Sequence, residues 1–240
     1  MKNFLSAIQF LTILPVGKLE EYGPRGIAPF FPIVGILLGV MVAAFDTAVS
    51  HFWPLSVVSL LDVVFLVVIT GALHLDGLGD AADGLLGHRP VDRALAIMKD
   101  SRIGVMGLIV IICMLSIKWG GIMSLTDNRS LLLVVIPAYA RGSMIFGTRF
   151  LRYGRPDNKG LGRPLFENRL KVSAFLGLLI PVGLSFFLGS SGIWLNLIFM
   201  ALTAAILLYY HWRVECITGD MLGAMTEVME SMLFLLISVV

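Results

Sequence analysis

The sequence predicts an all-α fold: a polytopic integral membrane bundle of about six to seven transmembrane helices with an N-terminal interfacial helix. Three observations carry that prediction. Of 240 residues, 58% are hydrophobic and only 14% charged, with a mean hydropathy of +0.91; a soluble domain carries about 25% charged residues. Six stretches approach the roughly 20 mainly apolar residues that cross a hydrocarbon layer. The basic residues between them fall almost wholly on alternate loops. An ordinary soluble domain, a disordered chain and a secreted disulfide scaffold are thereby excluded, and Cys113 and Cys216 have neither pairing nor zinc-like spacing. A formal charge of +2 gives no reason to expect nucleic acid as a partner.

The first element, Met1–Pro15, is too short to span. Its Phe4, Ile8 and Leu11 recur at helical spacing, which suits a helix lying in the interface. No small-residue cleavage site follows it before Lys18, Glu20 and Glu21, so a signal peptide is not expected. The six spans are Gly26–Phe45, Pro54–Leu73, Ile103–Leu125, Ser130–Thr148, Val172–Ser190 and Gly192–Trp212, and only Asp62, Lys118 and Arg141 place charge inside them. A seventh candidate, Met221–Val240, carries Glu227 and Glu230 in its first half.

Fourteen of the eighteen basic residues lie on one side of this arrangement, from Lys18 and Arg25 through Arg89–Arg102 and Arg149–Lys171 to Arg213. The other side holds Lys118 and Arg129. An excess of Lys and Arg marks the cytoplasmic side. The chain therefore reads as a single membrane domain, residues 1–240, with a cytoplasmic face built around 74–104, 141–171 and 213–227.

The segment after the second span reads His74-Leu-Asp76-Gly-Leu-Gly-Asp80-Ala-Ala-Asp83-Gly-Leu-Leu-Gly87. On a helix, Asp76, Asp80 and Asp83 fall at i, i+4 and i+7 and share one face. Three carboxylates so placed repel one another, and a hard divalent cation with oxygen ligands offsets that cost; magnesium then keeps water and substrate phosphate as its other ligands. The interleaved Gly77, Gly79, Gly84 and Gly87 are poor helix formers, each about 1 kcal/mol worse than alanine. They suit a close approach by neighbouring helices or a bulky ligand. The plainer alternative is a solvated acidic edge.

Four further features accompany it. Lys99-Asp100-Ser101-Arg102-Ile103-Gly104 opens the third span, where a hydroxyl, an arginine and free backbone N–H groups suit a phosphate. The alternative is an N-cap by Asp100 or Ser101 with Arg102 snorkelling. Thr218-Gly219-Asp220-Met-Leu-Gly223 is followed by Glu227 on the same helical face; these either add ligands or cap the last helix. Arg141, inside the fourth span, is costly there and is expected to face a polar cavity, the Asp cluster or a bound phosphate. The basic run 149–171 suits phosphates or anionic lipid heads and equally a topology signal.

Taken together, these residues resemble a known family. His-Leu-Asp-Gly-Leu-x-Asp-x-x-Asp-Gly at 74–84, Asp92-Arg93 with Ile97–Gly104, Phe10–Val16, Phe31–Gly35, Arg141-Gly142 and Thr218–Ala224 are similar to the motifs of the adenosylcobinamide-GDP ribazoletransferase, or cobalamin synthase, family, in order along the chain. The likeness is thinnest over Tyr153–Arg169. It implies a magnesium-dependent phosphotransferase in a bacterial or archaeal cytoplasmic (inner) membrane, with its site facing the cytoplasm. The implied substrates are adenosylcobinamide-GDP and α-ribazole or its 5′-phosphate, with GMP released; a homo-oligomer stays open. On that footing Asp76, Asp80 and Asp83 are the expected Mg²⁺ ligands. Arg102 and Arg141 are expected to neutralise phosphate charge and Ser101 to donate to a phosphate oxygen. Asp100, Asp220 and Glu227 are further substrate-binding candidates, and Asp83 or His74 would accept the hydroxyl proton.

Two rivals keep the same carboxylates. A CDP-alcohol phosphotransferase would need Ala-Arg after Asp83-Gly84 and later acidic positions, where this chain has Gly87-His88, Ser101 and Val105. An ion-coupled transporter would hold its carboxylates near mid-membrane, in paired half-repeats that are not seen here. A non-catalytic scaffold would leave the Asp spacing without a reason.

Overall fold

The computed structural model describes residues 2–17, 26–100, 102–155, 162–167 and 170–240. Ser101, and with it Lys18, Glu20, Glu21, Arg25, Lys159 and Arg169, lies outside the described residues.

Helix α1 (Lys2–Leu11) buries Ser6, Ala7, Ile8 and Leu11. It packs on the start of α2 (Phe31–Val49): Phe10 stacks on Phe31 at 5.9 Å and Phe4 meets Phe30 at 6.0 Å. Then α3 (Leu55–Ile69) returns to the same end of the bundle, called the inner end below. There Gly71 and Ala72 both take positive φ, 60° and 57°. Glycine adopts this conformation freely and alanine only at a cost. Through this turn the chain swings by 89°, so that α4 (Leu73–Leu85) no longer continues the line of α3.

A short helix α5 (Val91–Ile97) leads to α6 (Val105–Met123), which runs to the outer end. From there α7 (Arg129–Phe150) runs back. The segment Val172–Leu188 is a 3-10 helix, a single α stretch α8 (Leu179–Ser185) and a second 3-10 turn. Two long helices finish the chain, α9 (Ser190–Val214) and α10 (Gly219–Ile237). Two residue pairs bridge Arg152–Tyr153 to Cys216–Ile217 in parallel, a minor exception to an all-helical fold.

The fold class agrees with the sequence, but the span count is lower. Among the described residues, four helices are long and apolar enough to cross a membrane: Ala28–Val49, Val105–Met123, Arg129–Phe150 and Ser190–Val214. The bent α3–α4 pair makes a fifth when counted as one. The expected span Val172–Ser190 is instead a shorter apolar helical stretch, Val172–Leu188. Helix α10 is not among the four, yet it reaches the outer end, where Ile237 and Ser238 border a cleft with Ser124, Asn128 and Ser191.

Backbones touch at the centre. A Cβ on Gly35 would fall on Ala138 and Pro137 of α7, and one on Gly39 on Val134. This small-xxx-small pair lets two membrane helices approach without side chains between them. Gly121 meets α10 in the same way, 2.6 Å from the Leu235 nitrogen to where a Cβ would stand. The outer end is tied by Arg129, which donates to Asp46 (2.5 Å) and to the fully buried Asp62 (3.0 Å).

Replacing Gly35 or Gly39 by valine should force α2 from α7. The expected result is loss of monodisperse protein on detergent extraction, whereas Gly120→Val, with open space around Gly120, should extract normally.

Candidate active site

The acidic segment is the helix that its spacing predicts, α4, with Asp76 exposed and Asp80 and Asp83 half-buried. Its glycines work as close contacts. A Cβ on Gly77 would stand 2.7 Å from the Asp220 carbonyl oxygen, and one on Gly84 would stand 2.8 Å from the Ala94 carbonyl. On the other side Arg213 closes the helix, donating from Nε to the Leu85 carbonyl (3.0 Å) and from Nη2 to the Gly87 carbonyl (2.5 Å). These are the orphan acceptors of a helix C-terminus.

Asp83 has a different employment from the one expected. Its two oxygens accept the backbone N–H of Gly104 (2.6 Å) and Gly107 (2.9 Å). It therefore caps α6 from 21 residues upstream, satisfying donors that the helix cannot satisfy itself. Gly104 is the N-cap of α6 and has no side chain to offer, and Asp100 does not fill that role. Asp100 pairs with Arg102 (2.6 Å) on the surface, where Arg102 is 87% exposed. The guanidinium holds the Asp100 carboxyl down to about 2. Neither residue lines the main cavity.

That cavity, about 700 Å³, lies at the inner end. Its acidic wall is Asp76 and Asp220, its floor His74 and Gly77, and Tyr153, Arg155 and Gly162 form a third side. Gln9, Phe10, Thr12 and Ile13 of the N-terminal segment complete it. At the start of α10, Thr218 is the N-cap, its Oγ1 accepting from Met221 N (3.2 Å). Asp220 follows in the first turn and receives Arg155 Nη2 at 2.7 Å. His74 is 1% exposed, and neither ring nitrogen has a hydrogen-bond partner. Burial, and then the charges of Asp76, Asp220 and Asp83, push the Asp80 carboxyl up to about 6, against relief from Arg155.

An excess of carboxylates of this kind favours a cation. Among the described residues no three His, Cys, Asp or Glu side chains form a group able to hold a metal ion by themselves. That openness is compatible with magnesium, which binds through one or two carboxylates and completes its shell with water and phosphate. Asp76 and Asp220 are the carboxylates that line the cavity, and Asp80 lies near enough to feel the charge of both.

Two expected ligands are corrected. Arg141 and Glu227 do not reach the cavity. Arg141, 1% exposed, pairs with Glu230, and Glu227 receives Lys118 Nζ at 2.6 Å. Lys118 also donates to Glu230 at 2.8 Å, so two cations and two anions meet inside the bundle. Lys118 is thus a residue of the core and not of the outer side, which leaves Arg129 there. Within hydrocarbon such groups persist by pairing with one another. The sequence could not have matched these partners, because they lie 89 to 112 positions apart. Conversely nothing in the sequence marks Arg155, Tyr153 or Gln9, Arg155 being one of seven basic residues in its loop.

A helical membrane protein with an acidic cavity where its helices end is the class that these features define. The chain matches the cobalamin-5-phosphate synthase family over residues 3–239, and it belongs to that family. Curated relatives named adenosylcobinamide-GDP ribazoletransferase include one from Clostridium botulinum (strain Okra / Type B1), 35% identical over 99% of this chain and 97% of its own. Others come from Alkaliphilus metalliredigens (strain QYMF), 33% identical over 99% and 96%, and Thermoanaerobacter sp. (strain X514), 32% identical over 96% and 94%. No solved structure matches the chain.

Replacing Glu230 by leucine strands Arg141 and leaves Lys118 with one partner. Breaking a buried pair in this way costs about 3–5 kcal/mol, a loss to be read from unfolding of the detergent-solubilised protein, with Arg102→Leu as the near-neutral control.

Proposed function

We propose that this chain joins the phosphorylated cobinamide of adenosylcobinamide-GDP to α-ribazole, or to its 5′-phosphate, and releases GMP. The observation that carries this reading is geometric. Asp76 and His74 from one family-like motif, Asp220 from another and Phe10 from a third come together on a single cavity although they are far apart in the chain. At about 700 Å³ the cavity has the size of ordinary ligand sites, about 300–1,000 Å³.

In the reaction a ribazole hydroxyl oxygen attacks the cobinamide-side phosphorus. The bond from that phosphorus to the bridging oxygen breaks, GMP leaves with the electron pair, and the hydroxyl proton passes to a base. Reactions of this type depend chiefly on positioning and charge neutralisation. Magnesium, when bound, would neutralise the pyrophosphate oxygens and the leaving phosphate. Asp76, Asp80 and Asp220 would hold it.

The chain's own residues do the rest. The N-terminal segment and Tyr153 close the sides of the cavity, so the acceptor is held beside the acidic wall. Of the two expected proton acceptors, Asp83 spends both oxygens on α6, while the buried ring of His74, a residue at the edge of the cavity, has no hydrogen-bond partner. The acidic face belongs to the cytoplasmic side of a bacterial inner membrane on this reading, supported by the excess of basic residues around it.

Purified protein given adenosylcobinamide-GDP and α-ribazole should release GMP only with Mg²⁺ present; release unaffected by chelation would remove the metal from the scheme. Asp80→Asn should lower kcat at least about 100-fold with the melting temperature retained. Asp83→Asn should lower both activity and melting temperature, because it loosens α6.

A further inference from the structure

Arg155 is the one cation among the described residues that lines the cavity. In the structure its Nη2 is bound to Asp220 at 2.7 Å, each side chain being about one-fifth exposed. The chain on both sides of it is fixed to α10 and its approach. Arg152 and Tyr153 bridge to Cys216 and Ile217, and Gly154 N donates to the Ile217 carbonyl at 2.9 Å. Further on, a Cβ at Gly162 would stand 3.2 Å from the Gly219 Cα. Arg155 is therefore presented at the start of a 19-residue helix whose Gly219 and Asp220 also line the cavity.

A helix start of this kind carries partial positive charge and free N–H groups, both suited to phosphate. A second feature points to a ligand here: Arg155 and Asp220 together line a cavity of about 700 Å³, large enough for a nucleotide-sized group. Meanwhile the Arg155–Asp220 pair ties up one carboxylate of a group that already has too many for its charge.

We propose that Arg155 binds a phosphate of the nucleotide donor at the start of α10, exchanging its bond to Asp220 for one to the phosphate. Asp220 is thereby released to the metal ion. The pair is a resting state, and substrate and cation enter together because each takes one member of it. Arg155 touches substrate on this account; Arg102, expected from the sequence to do so, stays on the surface with Asp100. The inference rests on the phosphotransferase reading for the identity of the donor but not for the phosphate itself.

The test uses the full-length protein in detergent with three variants: Arg155→Ala, Arg155→Lys and the exchanged pair Arg155→Asp with Asp220→Arg. Inorganic pyrophosphate with Mg²⁺ is the binding probe, and donor turnover is measured separately. Arg155→Ala should weaken pyrophosphate binding and donor kcat/KM by about tenfold or more, with Arg155→Lys between it and the wild type, because a lysine keeps the charge without the paired donors. The acceptor KM should change less than about twofold. The exchanged pair should regain the wild-type melting temperature but not pyrophosphate binding. Recovery of binding by the exchanged pair, or unchanged binding in Arg155→Ala, would show a purely structural pair and overturn the proposal. So would a wild-type protein that does not bind pyrophosphate. Pyrophosphate binding that depends on Arg155, in a protein that fails to turn over the cobinamide donor, would instead retain the phosphate site and refute the assigned reaction.

Discussion

Lys118 on α6, Arg141 on α7 and the pair Glu227 and Glu230 on α10 meet where no water competes for them. Two positive and two negative charges balance, and none can be withdrawn without leaving another stranded in a medium that solvates it poorly. This fixes the depth and rotation of three helices relative to one another. Since α10 is held at Glu227, its first turn, two helical turns earlier, is held as well, and Asp220 is delivered against Gly77 of α4. The acidic wall of the cavity is thus set by an ion-pair network that lies outside it.

What could be read in advance follows from how local each signal is. The apolar stretches are local and gave the bundle its class; so is the spacing of Asp76, Asp80 and Asp83, which placed them on one helix. Partnerships across the bundle are not local. Arg141 and Glu227 carry the marks of functional residues, costly charges in spans, and nothing in the sequence around them says that Glu230 and Lys118 absorb those charges. Asp83 is a further case: its spacing on α4 is equally that of a ligand and of a cap, and only the approach of Gly104 and Gly107 decides its present use.

The turn at Gly71–Ala72 was invisible for another reason. A single glycine followed by alanine has no periodicity to break, and the apolar run Pro54–Leu73 reads smoothly through it. The left-handed backbone there separates α3 from α4, which leaves it at 89°. In the same way Arg155 was hidden among its neighbours, since in a loop of seven basic residues composition cannot tell which one points inward.

The 89° swing of α4 has a consequence for what a reactant meets first. Because α4 does not continue the line of α3, its first carboxylate, Asp76, stays exposed on the wall of the cavity although an apolar run leads straight up to it. A large, strongly hydrated reactant that entered there would meet a polar surface before any apolar one. The helices then serve as a mounting for a surface that stays wet.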